Sequence, residues 1–70
     1  MGAKIQISLA AARVNARLTQ DDVAKTLHIT KQTIVNWEKG ATEPSINQGR
    51  ILEKLYGIPM DYIFLPSKSN

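Results

Sequence analysis

Between Thr30 and Gly40 the chain reads Lys-Gln-Thr-Ile-Val-Asn-Trp-Glu-Lys. Taken as a helix with Ile34 and Trp37 turned inward, this stretch leaves Lys31, Gln32, Val35, Asn36 and Lys39 as one outward stripe. Those side chains share a chemistry. An amide can pair bidentately with adenine, lysine reaches the acceptors of guanine, and an apolar side chain meets the methyl of thymine. The set suits the major groove of a duplex, although the same polar stripe also suits a solvated face or a protein surface. Trp37 could stack on a base, but its spacing from Ile34 assigns it to the core.

Other chemistries are poorly served by this chain. With no cysteine there is no disulfide framework, thiol nucleophile or cysteine metal cage. One histidine, His28, gives neither a His-rich metal site nor a basis for a Ser-His-Asp triad. Asp21 and Asp22 stand where a helix begins and complement its dipole better than they form a catalytic pair. No metal, cofactor or enzymatic reaction is therefore expected. Nine Lys and Arg against six Asp and Glu leave a formal charge of +3, a weak pointer to an acidic partner such as nucleic acid. No apolar run approaches the roughly 18 residues of a membrane span. The first residues lack the apolar block of a secretory signal, and Met1-Gly2 lacks a Ser or Thr at the sixth position, where Gln6 stands. The expectation is a cytoplasmic domain with no membrane partner.

The elements that must carry the stripe are short and clearly punctuated. Seventy residues make one domain, and a fold of this size buries only about 60% of the surface its unfolded chain exposes. Ser8 caps a first helix, Leu9 to Arg17, whose inward face is Leu9, Ala12, Arg13 and Ala16. Thr19 with Asp22 approaches a capping box and opens a second helix to about Leu27, burying Val23, Ala24 and Leu27. His28 and Ile29 leave room for only a tight turn. Thr30 caps the third helix, Lys31 to Lys39, and Gly40 stops it. Ala41 to Pro44 is a loop, and Ser45 with Gln48 starts a fourth helix that Gly57 ends, with Gly49 a poor helix former inside it. Pro59 leads a fifth helix, Met60 to Phe64. The spans are an N-terminal arm over 1–7, a domain over 8–66 and a flexible tail over 67–70. Within the arm, Lys4 to Ile7 alternates like an extended arm or an edge strand. The fold class is all-α with five helices.

Two helices joined by a turn of three or four residues form a helix-turn-helix, here Gln20 to Lys39. The run from Leu18-Thr-Gln through Trp-Glu-Lys-Gly40 resembles the phage repressor/Cro (XRE-like) helix-turn-helix family. Pro44-Ser45 and Leu55-Tyr-Gly-Ile-Pro-Met-Asp-Tyr-Ile-Phe64 are similar to later helices of the same family. The resemblance covers roughly Leu9 to Leu65 and implies a compact five-helix bundle of the lambda-repressor-like DNA-binding type. It implies that Gln20 bonds a DNA phosphate and braces the next helix. Thr30, Lys31, Gln32 and Thr33 would contact base edges and phosphate, Asn36 would read a base, and Lys39 would touch phosphate. Arg13 and Glu38 look like the family's partly buried ion pair. His28 departs from the family, which usually has glycine there, though histidine tolerates a left-handed backbone better than most residues.

The implied function is a sequence-specific transcriptional regulator of double-stranded DNA that binds a palindromic operator as a homodimer. Dimer or partner contacts would come from Ile58, Tyr62, Ile63 and Leu65, which with Phe64 are more apolar than the core requires. The remaining basic residues, Lys4, Arg17, Lys25, Arg50 and Lys54, are scattered, with Arg17 and Lys4 the best placed for phosphate. The loop after Gly40 carries Glu43 and no basic residue. The rival reading is a protein-binding module: an anti-repressor covering the DNA-reading surface of a partner repressor, or an antitoxin.

Overall fold

Each helix begins on a hydroxyl. In the computed structural model, which describes residues 6–65, the order is β1 (Ile7–Ser8), α1 (Leu9–Asn15), α2 (Gln20–Leu27), α3 (Lys31–Lys39), α4 (Ile46–Tyr56), a single 3₁₀ turn (Met60–Tyr62) and β2 (Ile63–Phe64). Ser8, Thr19, Thr30 and Ser45 hold extended backbone and accept the N–H of Ala11, Asp22, Thr33 and Gln48. A helix leaves its first amides without internal partners, and these side chains satisfy one donor at each start. At α2 and α4 the cap is reciprocal. The Thr19 N–H donates to Asp22 Oδ2 at 2.9 Å, and the Ser45 N–H to Gln48 Oε1 at 2.8 Å.

The cap on α2 is a pH-sensitive element. The Thr19 backbone N–H, with its hydroxyl next, holds the Asp22 carboxyl below its ordinary value. A depressed folded-state pKa stabilises the fold above the ordinary carboxylate pKa, and that stabilisation disappears as pH falls through the folded value. Urea midpoints should therefore drop on acidification below about pH 4. Asp22→Asn should have a shallower acid limb, measured by circular dichroism; an unchanged limb would remove Asp22 from the account.

Every helix is followed by a residue in the left-handed region. Arg17 (φ 63°) and His28 (φ 59°) take that role beside Gly40 (φ 84°) and Gly57 (φ 71°). After α1, α2 and α3 the closing hydrogen bonds are of the Schellman kind: Leu18 N–H to Arg13 O, Ile29 N–H to Ala24 O and Ala41 N–H to Asn36 O. Arg17 and His28 carry the steric penalty of a Cβ in this conformation. Gly49, by contrast, sits inside α4, where a Cβ would meet Met60 at an ordinary 3.7 Å. Glycine is thus present at 49, where the helix favours alanine, and absent at 17 and 28, where a left-handed residue favours glycine. His28→Gly and Gly49→Ala should each stabilise by about 0.5–1 kcal/mol. Thermal unfolding should move up by roughly 2–8 °C for each, and the two gains should add.

The core draws on every helix. Leu9 and Ala12 of α1, Val23 and Ala24 of α2, Ile34 and Trp37 of α3, and Leu52 and Tyr56 of α4 are buried together with Ile63. The inward faces read from the spacing are those observed, with Ala16 and Leu27 half-buried at the margin. Two expectations are corrected. The first helix stops at Asn15, because Arg17 turns left-handed to deliver the chain to the Thr19 cap. The fifth helix, expected over Met60 to Phe64, is one 3₁₀ turn followed by extended chain, so four α-helices form among the described residues. Ile63 (φ −105°, ψ 127°) is extended and pairs with Ile7 in a two-stranded parallel sheet, with Ser8 opposite Phe64. A β-branched residue followed by an aromatic favours this pleated pairing over another helical turn. Glu53 Oε2 accepts the Met60 N–H at 2.7 Å and anchors the turn to α4.

Ile7, grouped by sequence with the arm, thus packs against the core. The rest of the arm over 1–5, Lys4 among it, and the tail over 67–70 lie outside the described residues. Among the described residues no helix is long and apolar enough to cross a membrane.

Candidate nucleic-acid interface

The α2–α3 unit is set by small and branched side chains. Ala24, buried where the helices approach, permits close packing, and half-buried Ile29 in the intervening turn lies against the same core. Burial of Ile34 and Trp37 fixes the rotation of α3. Lys31, Gln32 and Lys39 are consequently exposed, and Thr33, Val35 and Asn36 are half-buried. Gln32 Nε2 donates to Asn36 Oδ1 at 3.0 Å, joining the two amides one turn apart. The hydroxyls of Thr30 and Thr33 lie 3.0 Å apart at the start of the helix. α3 therefore presents a bonded amide pair, a hydroxyl pair and a lysine at each end.

Behind α3 lies a polar network centred on Arg13 and Glu38. Glu38 Oε2 accepts from Arg13 Nε at 2.7 Å, and Oε1 accepts from Arg13 Nη2 at 3.3 Å and from Gln20 Nε2 at 2.9 Å. Arg13 Nη1 also donates to the Leu18 carbonyl at 3.0 Å. The carboxylate thus ties α1, the first residue of α2 and the end of α3, and Arg13 extends the network to the α1–α2 turn. The side chains of Arg13 and Glu38 are only 15% and 9% exposed. The hydrogen bonds that Arg13 donates to Glu38 hold the Arg13 pKa above its ordinary value despite desolvation. Burial pushes the Tyr56 phenol up to about 12, with the Glu38 charge adding and Arg13 opposing.

The apolar C-terminal residues divide. Ile63, at 3% exposure, is a core residue, because strand pairing turns it inward; it offers nothing to a second chain. Ile58 and Leu65 are half-buried against the core, and Tyr62 is 50% exposed. Sequence reading missed the exposed Val14, Ile46 and Ile51. The signal for Ile46 was available: it directly follows the Ser45 cap, off the stripe of Gly49, Leu52 and Tyr56. Among the described residues no group of three His, Cys, Asp or Glu side chains is placed to hold a metal ion.

Comparison with known proteins gives two kinds of match. A family model described as helix-turn-helix matches residues 9–63. An HTH-type transcriptional regulator of Methanocaldococcus jannaschii, MJ0272, is 40% identical over 48 residues, covering 69% of this chain and 73% of that protein. The cryptic phage CTXphi transcriptional repressor RstR of Vibrio cholerae is 33% identical over 58 residues, covering 83% of this chain and 52% of that protein. The chain thus spans about half the length of RstR. No solved structure matches at a significant level.

Proposed function

Because the chain belongs to the repressor/Cro-type helix-turn-helix family of DNA-binding transcriptional regulators, we propose that α3 enters the major groove of a palindromic operator and reads it through Gln32 and Asn36. The bonded amide pair on the open side of α3 is the observation that carries this reading. Amides offer donor and acceptor together, as the edge of adenine demands. Lys31 faces guanine or phosphate, and Val35 meets a thymine methyl. Thr30, Thr33, Gln20 and Lys39 contact phosphates and set the register, carrying no sequence information themselves.

The domain, expected over 8–66, also draws Ile7 into its core and acts on DNA in the cytoplasm; no reaction is assigned to it. Two copies occupy half-sites roughly 34 Å apart, joined through Tyr62 with Ile58 and Leu65 at its margin. The resemblance to RstR favours repression by occupying the operator.

Selection of bound sequences from random duplex DNA, using the purified protein, tests this directly. A palindromic consensus is the expected result. A single half-site would remove the dimer, and no enrichment at low salt would overturn the reading in favour of an anti-repressor that binds a partner protein.

A further inference from the structure

A primary amide has a donor end and an acceptor end of nearly equal size, and rotation about the last side-chain torsion exchanges them. A phosphate only accepts. A glutamine at an open helix start therefore presents the wrong end to a phosphate for part of the time, and ordering it on binding costs entropy. Gln20 is not in that position, because its nitrogen donates to Glu38 Oε1 at 2.9 Å. A carboxylate also only accepts, so it can hold the amide only by nitrogen. That nitrogen carries a second N–H, which remains available. Arg13 fixes the carboxylate in turn by holding both of its oxygens.

We infer that Glu38, beyond its ion pair with Arg13, is a positioning residue for DNA: it sets the polarity of the Gln20 amide that meets the phosphate. The inference rests on the phosphate contact proposed for Gln20. It gives the Arg13–Glu38–Gln20 chain a directional role, from scaffold cation through part-buried carboxylate to the backbone of the bound duplex.

The test is a double-mutant cycle on random-sequence duplex DNA, with every variant held below its melting temperature. Q20A should weaken binding about tenfold and leave the salt slope unchanged, since a neutral amide displaces no counterion. E38Q keeps the size of the side chain but also offers a donor, which frees Gln20 to turn over, and it should weaken binding by a similar factor. Q20A/E38Q should bind no more weakly than Q20A alone. Losses that add in the double variant would overturn the inference, as would a Q20A protein that binds like wild type. If wild type bound no duplex at low salt, the regulatory reading itself would fall.

A second measurement needs no DNA. In the free protein one side-chain amide proton of Gln20 should be shifted downfield and exchange slowly, and E38Q should abolish both features. Identical amide signals in wild type and E38Q would also overturn the inference.

Discussion

Arg13→Ala should destabilise the fold by about 3 kcal/mol, the low end of the range for removing one member of a buried ion pair, because this pair is only partly buried. Two losses combine. Glu38 keeps its charge in a site that is 9% exposed, with only Gln20 left to bond it. The Leu18 carbonyl loses the Arg13 Nη1 donor at the point where α1 is closed. In a domain of this size each kcal/mol corresponds to roughly 4–8 °C, so the melting temperature should fall by about 12 °C or more. Glu38→Ala should cost less, because the longer Arg13 side chain is already 15% exposed and can reach water. The control is R13M/E38L, which replaces both charges by apolar groups and should recover the part of the loss due to the unpaired charge, leaving that of the Leu18 bond. Thermal and urea unfolding followed by circular dichroism measure all three. A loss below about 1 kcal/mol for Arg13→Ala would mean that solvent screens the pair as it does an exposed one.

Asn36→Ala and Gln32→Ala should each weaken operator binding by about 1–3 kcal/mol and relax the preference at particular base pairs. The 3.0 Å hydrogen bond between them has a consequence for the double variant. Removing either side chain frees the other to rotate, so the two losses should not simply add. Lys39→Ala behaves differently in kind. It should weaken every duplex alike and reduce the salt slope by about one unit. Titrations on operator and on random duplex, across a salt series, separate the two patterns. Equal losses on both DNAs for all three variants would remove base reading from Gln32 and Asn36.

What can be read from the sequence follows from the range of the interactions involved. Caps at Ser8, Thr19, Thr30 and Ser45 and the stop at Gly40 are decided within three or four residues, so the local sequence is enough to place them. The outward stripe of α3 is equally legible, because Ile34 and Trp37 set the phase of a short helix. The fate of Met60 to Phe64 is not. Locally the run after Pro59 is compatible with a helix, and what draws Ile63 into extended chain is a partner near the other end of the described residues, Ile7. The Gln20–Glu38 bond is only half visible. The resemblance to the family suggests that Gln20 braces the next helix, but that it does so through the ion-paired carboxylate depends on three separate helices meeting. The left-handed turn at Arg17 leaves no mark either, since arginine is not a residue that signals one.

The pairing of Ile7 with Ile63 also bears on how long the fold persists once formed. Most of the packing joins neighbours along the chain, above all α2 with α3, and such contacts close small loops at little entropic cost. The parallel strand pair joins nearly the two ends of the described chain and incurs the largest closure entropy for two residues of ladder. A contact so costly to close is expected to form late in folding, so weakening it should speed unfolding more than it slows folding. Stopped-flow chevrons of Ile63→Ala would show this as a raised unfolding limb with the folding limb nearly unmoved.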